Sequence, residues 1–207
     1  MSINQFLDSK LFLLIAGFVL TTFTGGILTY YFQKRSWNRQ TYVDLYRKKY
    51  DDGVKFLDEL SELIGKRLFF LQKFLWAIAD KDKDRVTKFE KDYFEIVNLW
   101  NVNYYKNRNK IRLLINEHMA NYFLDYDDDQ KLDSPQSLHY KFVITHRKVM
   151  KAKSDDSGIA EASESVQKLN WKCSVFLEKI TTEFTVKAQR LELLDIQELK
   201  DNIRKEP

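Results

Sequence analysis

Apolar side chains follow two different patterns along this chain. From Leu11 to Phe32, LFLLIAGFVLTTFTGGILTYYF, they are nearly continuous, 22 residues with no charge and no proline. At ~1.5 Å per residue such a helix reaches about 33 Å, enough for a ~30 Å hydrocarbon layer with slight tilt. Only a helix satisfies its own backbone in lipid, so the stretch predicts one transmembrane helix. From Val43 onward the pattern is periodic. Val43, Tyr50, Leu57, Ile64, Leu71 and Ile78 recur every seven residues. Tyr46, Leu60 and Phe74 fill the companion position, which Gly53 and Arg67 interrupt. Phe56, Leu63 and Phe70 widen the stripe, which suits a multi-helix bundle better than a bare two-stranded coil. No glycine or proline lies between Ile27 and Asp52. One helix is therefore expected from the membrane to about Ala79, with a bend near Ser36 or Gly53.

Further helical patterns follow. Asp80 to Asp84 is a polar connection with Asp82 or Asp84 as N-cap. A second helix is expected to about Leu124, with Val86, Phe89, Tyr93, Ile96, Trp100, Tyr104, Ile111, Leu114 and Met119 on its apolar face. The joining loop is short, so this helix returns antiparallel to the first. Asp125 to Asp133 reads as an acidic loop, and Ser134-Pro135 as the start of a third helix to about Lys151. That helix carries Leu138, Phe142, Val143 and Val149. Lys153 to Gly158 is the best linker candidate. A last helix spans about 159–203, striped by Val166, Leu169, Cys173, Phe176, Ile180, Phe184, Leu191, Leu194 and Leu199. Six glycines and two prolines are too few for strands joined by tight turns. The expected fold is all-α, an N-terminal transmembrane helix continuing into an elongated cytoplasmic helical bundle with coiled-coil-like packing. Its parts are a short external tail (1–10), the span (11–32) and the bundle (33–207).

Charge sets the expected orientation. Lys10 alone is basic before the span, whereas Lys34, Arg35, Arg39, Arg47, Lys48 and Lys49 follow it. The positive-inside rule places the N-terminus outside and the rest in the cytoplasm of a bacterial inner membrane, with Tyr30, Tyr31 and Trp37 at the interface. A cleaved signal peptide is the weaker reading, because the apolar run exceeds ~15 residues and no A-x-A-like site follows it. The net charge of +4 is small for a chain that is 31% charged, and does not by itself imply nucleic acid. Cys173, the single cysteine, rules out an internal disulfide and reads as a buried thiol on an apolar helix face.

Candidate chemistry is sparse. In the span, Gly17, Thr21 and Gly25 recur at every fourth position, and Thr22 and Gly26 repeat the pattern beside them. Small residues so spaced let helices approach closely in lipid. The hydroxyls of Thr21, Thr22, Thr24 and Thr29 either line a narrow polar path or bond their own helix backbone. Tyr104 to Arg112, YYKNRNKIR, is the most basic short run away from the membrane. Lys106 pairs with Lys110 on one helical face and Arg108 with Arg112 on another. With Trp100 and Tyr104 nearby, they offer charges for phosphate and rings for the bases of a nucleotide or oligonucleotide. The bland alternative is a solvated bundle face. Asp125, Asp127 and Asp129 open like a calcium loop, but Gln130 and Gln136 stand where glycine and glutamate are required. His118, His139 and His146 lack metal-ligand spacing. No nucleotide-loop, nucleophile-elbow or zinc-protease motif is present, so neither catalysis nor a cofactor is expected.

One span with an external N-terminus, followed by a long helical cytosolic bundle, resembles the small single-pass membrane effectors of bacterial anti-phage defence, including the Hailong type. The resemblance is one of layout over the whole chain and brings no functional residue with it. It implies a homo-oligomer whose spans form a pore or ion channel, held or opened by a ligand on the cytosolic part. The alternative is a membrane-anchored helical adaptor that docks a partner protein.

Overall fold

The computed structural model describes residues 10–124 and 136–205, with side chains described for 12–124, 136–155 and 157–190. It is all-helical, with no strand among the described residues. The helices are α1 (Lys10–Ala79), α2 (Lys83–Leu114), α3 (Glu117–Phe123), α4 (Leu138–Ser154) and α5 (Ile159–Lys205), with a 3-10 turn at Asp156–Gly158 before α5. The chain divides into two compact units, residues 1–51 and 52–207.

The first unit is helical from Lys10, and α1 is long and apolar enough to cross a membrane near the N-terminus. Its large apolar side chains lie open. Leu14 is 73% exposed and Phe18 and Phe23 are each 70% exposed. Val43 and Tyr50, the first two members of the seven-residue series, are exposed as well. Buried positions along α1 start at Gly53 and Phe56.

In the second unit, cross-helix contacts fix the topology. Along α1, residues 74, 67 and 56 meet residues 93, 100 and 110 of α2, so these two helices run antiparallel. Residues 104, 100 and 93 of α2 meet 139, 142 and 146 of α4. Thr145 meets Ser165, and Lys148 meets Glu161, so α4 and α5 are also antiparallel. The result is an up-down-up-down four-helix bundle. Its core includes Leu60, Ile64, Leu71, Phe74, Tyr93, Trp100, Ile111, Phe142, Leu169, Phe176 and Ile180. Each such apolar side chain contributes about 1.5–3 kcal/mol on burial.

Three local features differ from the expectation. The second helix does not reach Leu124. It stops at Leu114, and Asn116 caps a separate seven-residue α3 by accepting from the Met119 N–H at 2.8 Å. An asparagine that satisfies an orphan N–H from outside a helix competes with continuing it. The next helix begins at Leu138, where the Ser137 hydroxyl accepts from the Tyr140 N–H; Ser134 and Pro135, with the acidic run at 125–133, lie outside the described residues. Lys153 to Gly158 is not a linker. The Asp155 carboxylate accepts from the Ser157 N–H and hydroxyl, and the turn lies within the second unit. Elsewhere Asp82 is the N-cap of α2, as the sequence suggests, with Lys81 before it at φ 57°. Leu191, Leu194 and Leu199 lie in α5 beyond the described side chains.

Candidate functional site

The basic run lies along the second half of α2, and its two faces have different surroundings. On one face, Lys106 and Lys110 border a shallow groove of about 170 Å³ between α1 and α2. Leu60, Leu63 and Leu99 give it an apolar wall, and Glu59, Asn103 and Asn107 supply polar groups. Asn107 is 9% exposed, so its amide faces the groove from a nearly buried position. Lys110 also rests its ammonium 4.9 Å from the centre of the Phe56 ring. Two ammoniums against the one carboxylate of Glu59, with two amides and an apolar wall, can hold a small anionic group attached to something apolar.

On the other face the arginines are occupied. Arg108 Nε donates to the Leu124 carbonyl at 3.0 Å, and Nη2 donates to Glu117 at 3.0 Å and to Asn121 at 2.7 Å. Arg108 thus ties α3 back onto α2. Arg112 lies 3.9 Å from the other oxygen of Glu117. The two aromatic candidates divide similarly. Trp100 is fully buried and offers no face to a base. Tyr104 is half-buried, stacked on His139 at 5.5 Å and tilted against Tyr105 at 4.1 Å.

Trp100 leads to a cluster that the spacing of charges on α2 does not reveal. Arg67 of α1, an interruption in the heptad series, is 2% exposed in the middle of the bundle. Its guanidinium carbon lies 4.6 Å from the Trp100 ring centre and 4.3 Å from that of Phe142. Among the described residues no carboxylate pairs with it. Burial pulls its pKa down, and the adjoining Tyr93 hydroxyl pushes back. The two groups are close enough to shift each other's pKa, yet their geometry is too poor for Arg67 Nε, Arg67 Nη1 or Tyr93 Oη to complete a hydrogen bond. Tyr93, fully buried, stacks on Phe74 and on His146. Burial and the nearby Arg67 charge lower both histidines, His139 to about 4. His139 Nδ1 accepts the Trp100 indole N–H at 2.9 Å. Burial pushes the Cys173 thiol up to about 12, as expected of an inert core cysteine. The signal for this cluster was present in the sequence: one arginine at a core position of an otherwise apolar stripe.

The span residues are arranged simply. Thr21 donates to the Gly17 carbonyl, Thr22 to Phe18 and Thr29 to Gly25, each at 2.7 Å. Of the two roles open to these hydroxyls, the chain by itself uses backbone bonding. A Cβ on Gly17, Gly25 or Gly26 would meet nothing within 4 Å. That face is open to lipid or to another helix. No group of three or more metal-ligating side chains occurs among the described residues. No protein family, curated protein or solved structure matches this chain.

Proposed function

We propose that this chain is a single-pass protein of the bacterial inner membrane, with its N-terminus outside and its bundle in the cytoplasm. It assembles as a homo-oligomer through its span and depolarises the membrane when triggered, as an effector in anti-phage defence. The observation that carries the reading is the apolar surface of residues 13–32, where every side chain but that of Ala16 is exposed. Side chains such as Leu14, Phe18 and Phe23 need lipid or another copy of the span around them. The open strip at Gly17, Gly25 and Gly26 favours another copy. The Lys106–Lys110 groove is the entry for a phosphate-bearing signal, because it presents two cations beside an apolar wall.

A second reading, an anchored adaptor without conductance, is favoured by a different feature. Phe69 and Trp76 are each about half exposed, with the Lys73 ammonium 5.4 and 5.5 Å from their rings. Exposed aromatics beside a cation are common hot-spot material for a protein partner.

Membrane potential during induced expression separates the two. Wild type is expected to depolarise cells, and a variant with Gly17, Thr21 and Gly25 all replaced by leucine is expected to insert but lose both oligomer and depolarisation. Polarised cells and a strict monomer in detergent would leave the adaptor reading.

A further inference from the structure

Among the described residues, four buried side-chain nitrogen and oxygen atoms have no hydrogen-bond partner in the protein. They are Arg67 Nε, Arg67 Nη1, Tyr93 Oη and His146 Nδ1. All four belong to one cluster. Tyr93 stacks on His146 with ring centres 5.5 Å apart, and Arg67 lies against Tyr93. Buried polar atoms are almost always satisfied, so four exceptions in one place indicate a guest that satisfies them.

The charge selects the guest. Arg67 carries a full positive charge at 2% exposure. Both neighbouring histidines are held neutral by burial, and no carboxylate of the described residues faces the guanidinium. The Trp100 and Phe142 faces offset part of the desolvation through cation–π contact, and the Tyr93 hydroxyl adjoins the guanidinium, but no acceptor among the described residues completes a hydrogen bond to Nε or Nη1. Arg67 and Tyr93 offer donors, and neutral His146 offers one in its Nδ1–H tautomer. Donors around a lone cation call for an acceptor that carries negative charge. The surroundings limit its size, since Tyr93, Trp100 and Phe142 are 0% exposed and Cys173 3%.

We propose that the bundle core between α1, α2 and α4 binds a small inorganic anion of halide size, with Arg67 as the charge and Tyr93 and His146 as supporting hydrogen-bonding groups. This site is separate from the Lys106–Lys110 groove and does not depend on the protein conducting ions.

The test is thermal unfolding of the full-length protein in detergent, with sodium gluconate replaced stepwise by sodium chloride at constant ionic strength. A site that binds only the folded state raises Tm with ligand concentration. The expected rise is about 3–6 °C at ten times the half-saturating chloride concentration, increasing with the logarithm of concentration above it. Arg67→Met keeps the volume and removes the charge; it is expected to fold and to show no chloride dependence. No chloride-specific rise in wild type would overturn the proposal, with the donors then meeting internal water. An equal rise in Arg67→Met would overturn it too, by placing the anion elsewhere. If Arg67→Met does not fold, Tyr93→Phe decides, since it keeps the stacked ring and removes one donor. A several-fold higher half-saturating concentration supports the site, and an unchanged one overturns it.

Discussion

Phe184 of α5 lays its ring against Gly53 of α1, where a Cβ on the glycine would overlap the ring atoms Cε2 and Cζ. The absence of a side chain at position 53 is thus what admits an aromatic anchor from the last helix. Phe184 is 7% exposed and lies at the edge of the core, where buried packing on α1 begins.

Gly53→Ala is therefore expected to destabilise the protein, although alanine is the better helix former by about 1 kcal/mol. The ring must move, and overpacking of this kind costs about 1–3 kcal/mol. Urea denaturation should show a lower midpoint for Gly53→Ala and a recovery when Phe184→Leu is added. A Gly53→Ala protein more stable than wild type would mean that the ring yields freely.

The burial of His139 makes stability depend on pH. Burial and the nearby Arg67 charge hold the His139 pKa near 4, below the ordinary 6.5, and the neutral ring accepts the Trp100 indole N–H through Nδ1. Between these values the unfolded chain binds a proton that the folded chain refuses. The stabilisation is complete above pH ~6.5 and is lost as pH falls toward 4. His146, lowered in the same direction, adds to the trend. Urea midpoints measured from pH 7.5 to 4.5 are expected to fall through that window. His139→Gln keeps an acceptor without a titrating proton, and its profile should be flatter. Identical profiles would remove His139 as the source.

The basic run on α2 should split by mutation as it splits by geometry. Arg108→Met strands the Leu124 carbonyl and breaks the bonds to Glu117 and Asn121. Hydrogen bonds from a charged donor contribute about 1.5–3 kcal/mol, so a loss of about 2 kcal/mol or more is expected. Replacing Lys106 and Lys110 by glutamate should shift stability by only about 0.5 kcal/mol each, while abolishing binding of short oligonucleotides or cyclic nucleotides at low salt. Binding that survives the lysine changes and fails only with Arg108→Met would place the ligand on the α3 side.

The fold was legible because its signals are local and repeated. Leu57, Ile64, Leu71 and Ile78 occupy one heptad position, and all four are buried. The same series ran too far toward the membrane, since Val43 and Tyr50 keep the spacing but remain exposed. Periodicity reports which face of a helix is apolar, not whether another helix comes to cover it. The α2–α3 break was missed for a related reason: Met119 and Phe123 keep an apolar pattern across it, and Asn116 signals a cap only when the chain before it has already turned. In the candidate site, opposite faces for the lysine and arginine pairs follow from helical spacing. Nothing local showed that Arg108 is taken up by residues 9 to 16 positions further on. Trp100 belongs to the apolar face of the second helix and also lies near its cations in sequence, but the cation it meets is Arg67, which comes from another helix.

At the corner where α2 ends, the Lys187 ammonium donates to the Leu113 and Ile115 carbonyls at 3.2 and 2.9 Å, across sequence separations of 74 and 72 residues. A helix end normally finds its partners within a few residues, so it can finish as soon as it forms. This one waits for a side chain that the ribosome adds more than seventy residues later. During synthesis the corner stays open to water until α5 has emerged and docked, and Lys187 then closes a long loop in a late step. The order of assembly is thereby written into one lysine: the middle of the chain is completed by its end.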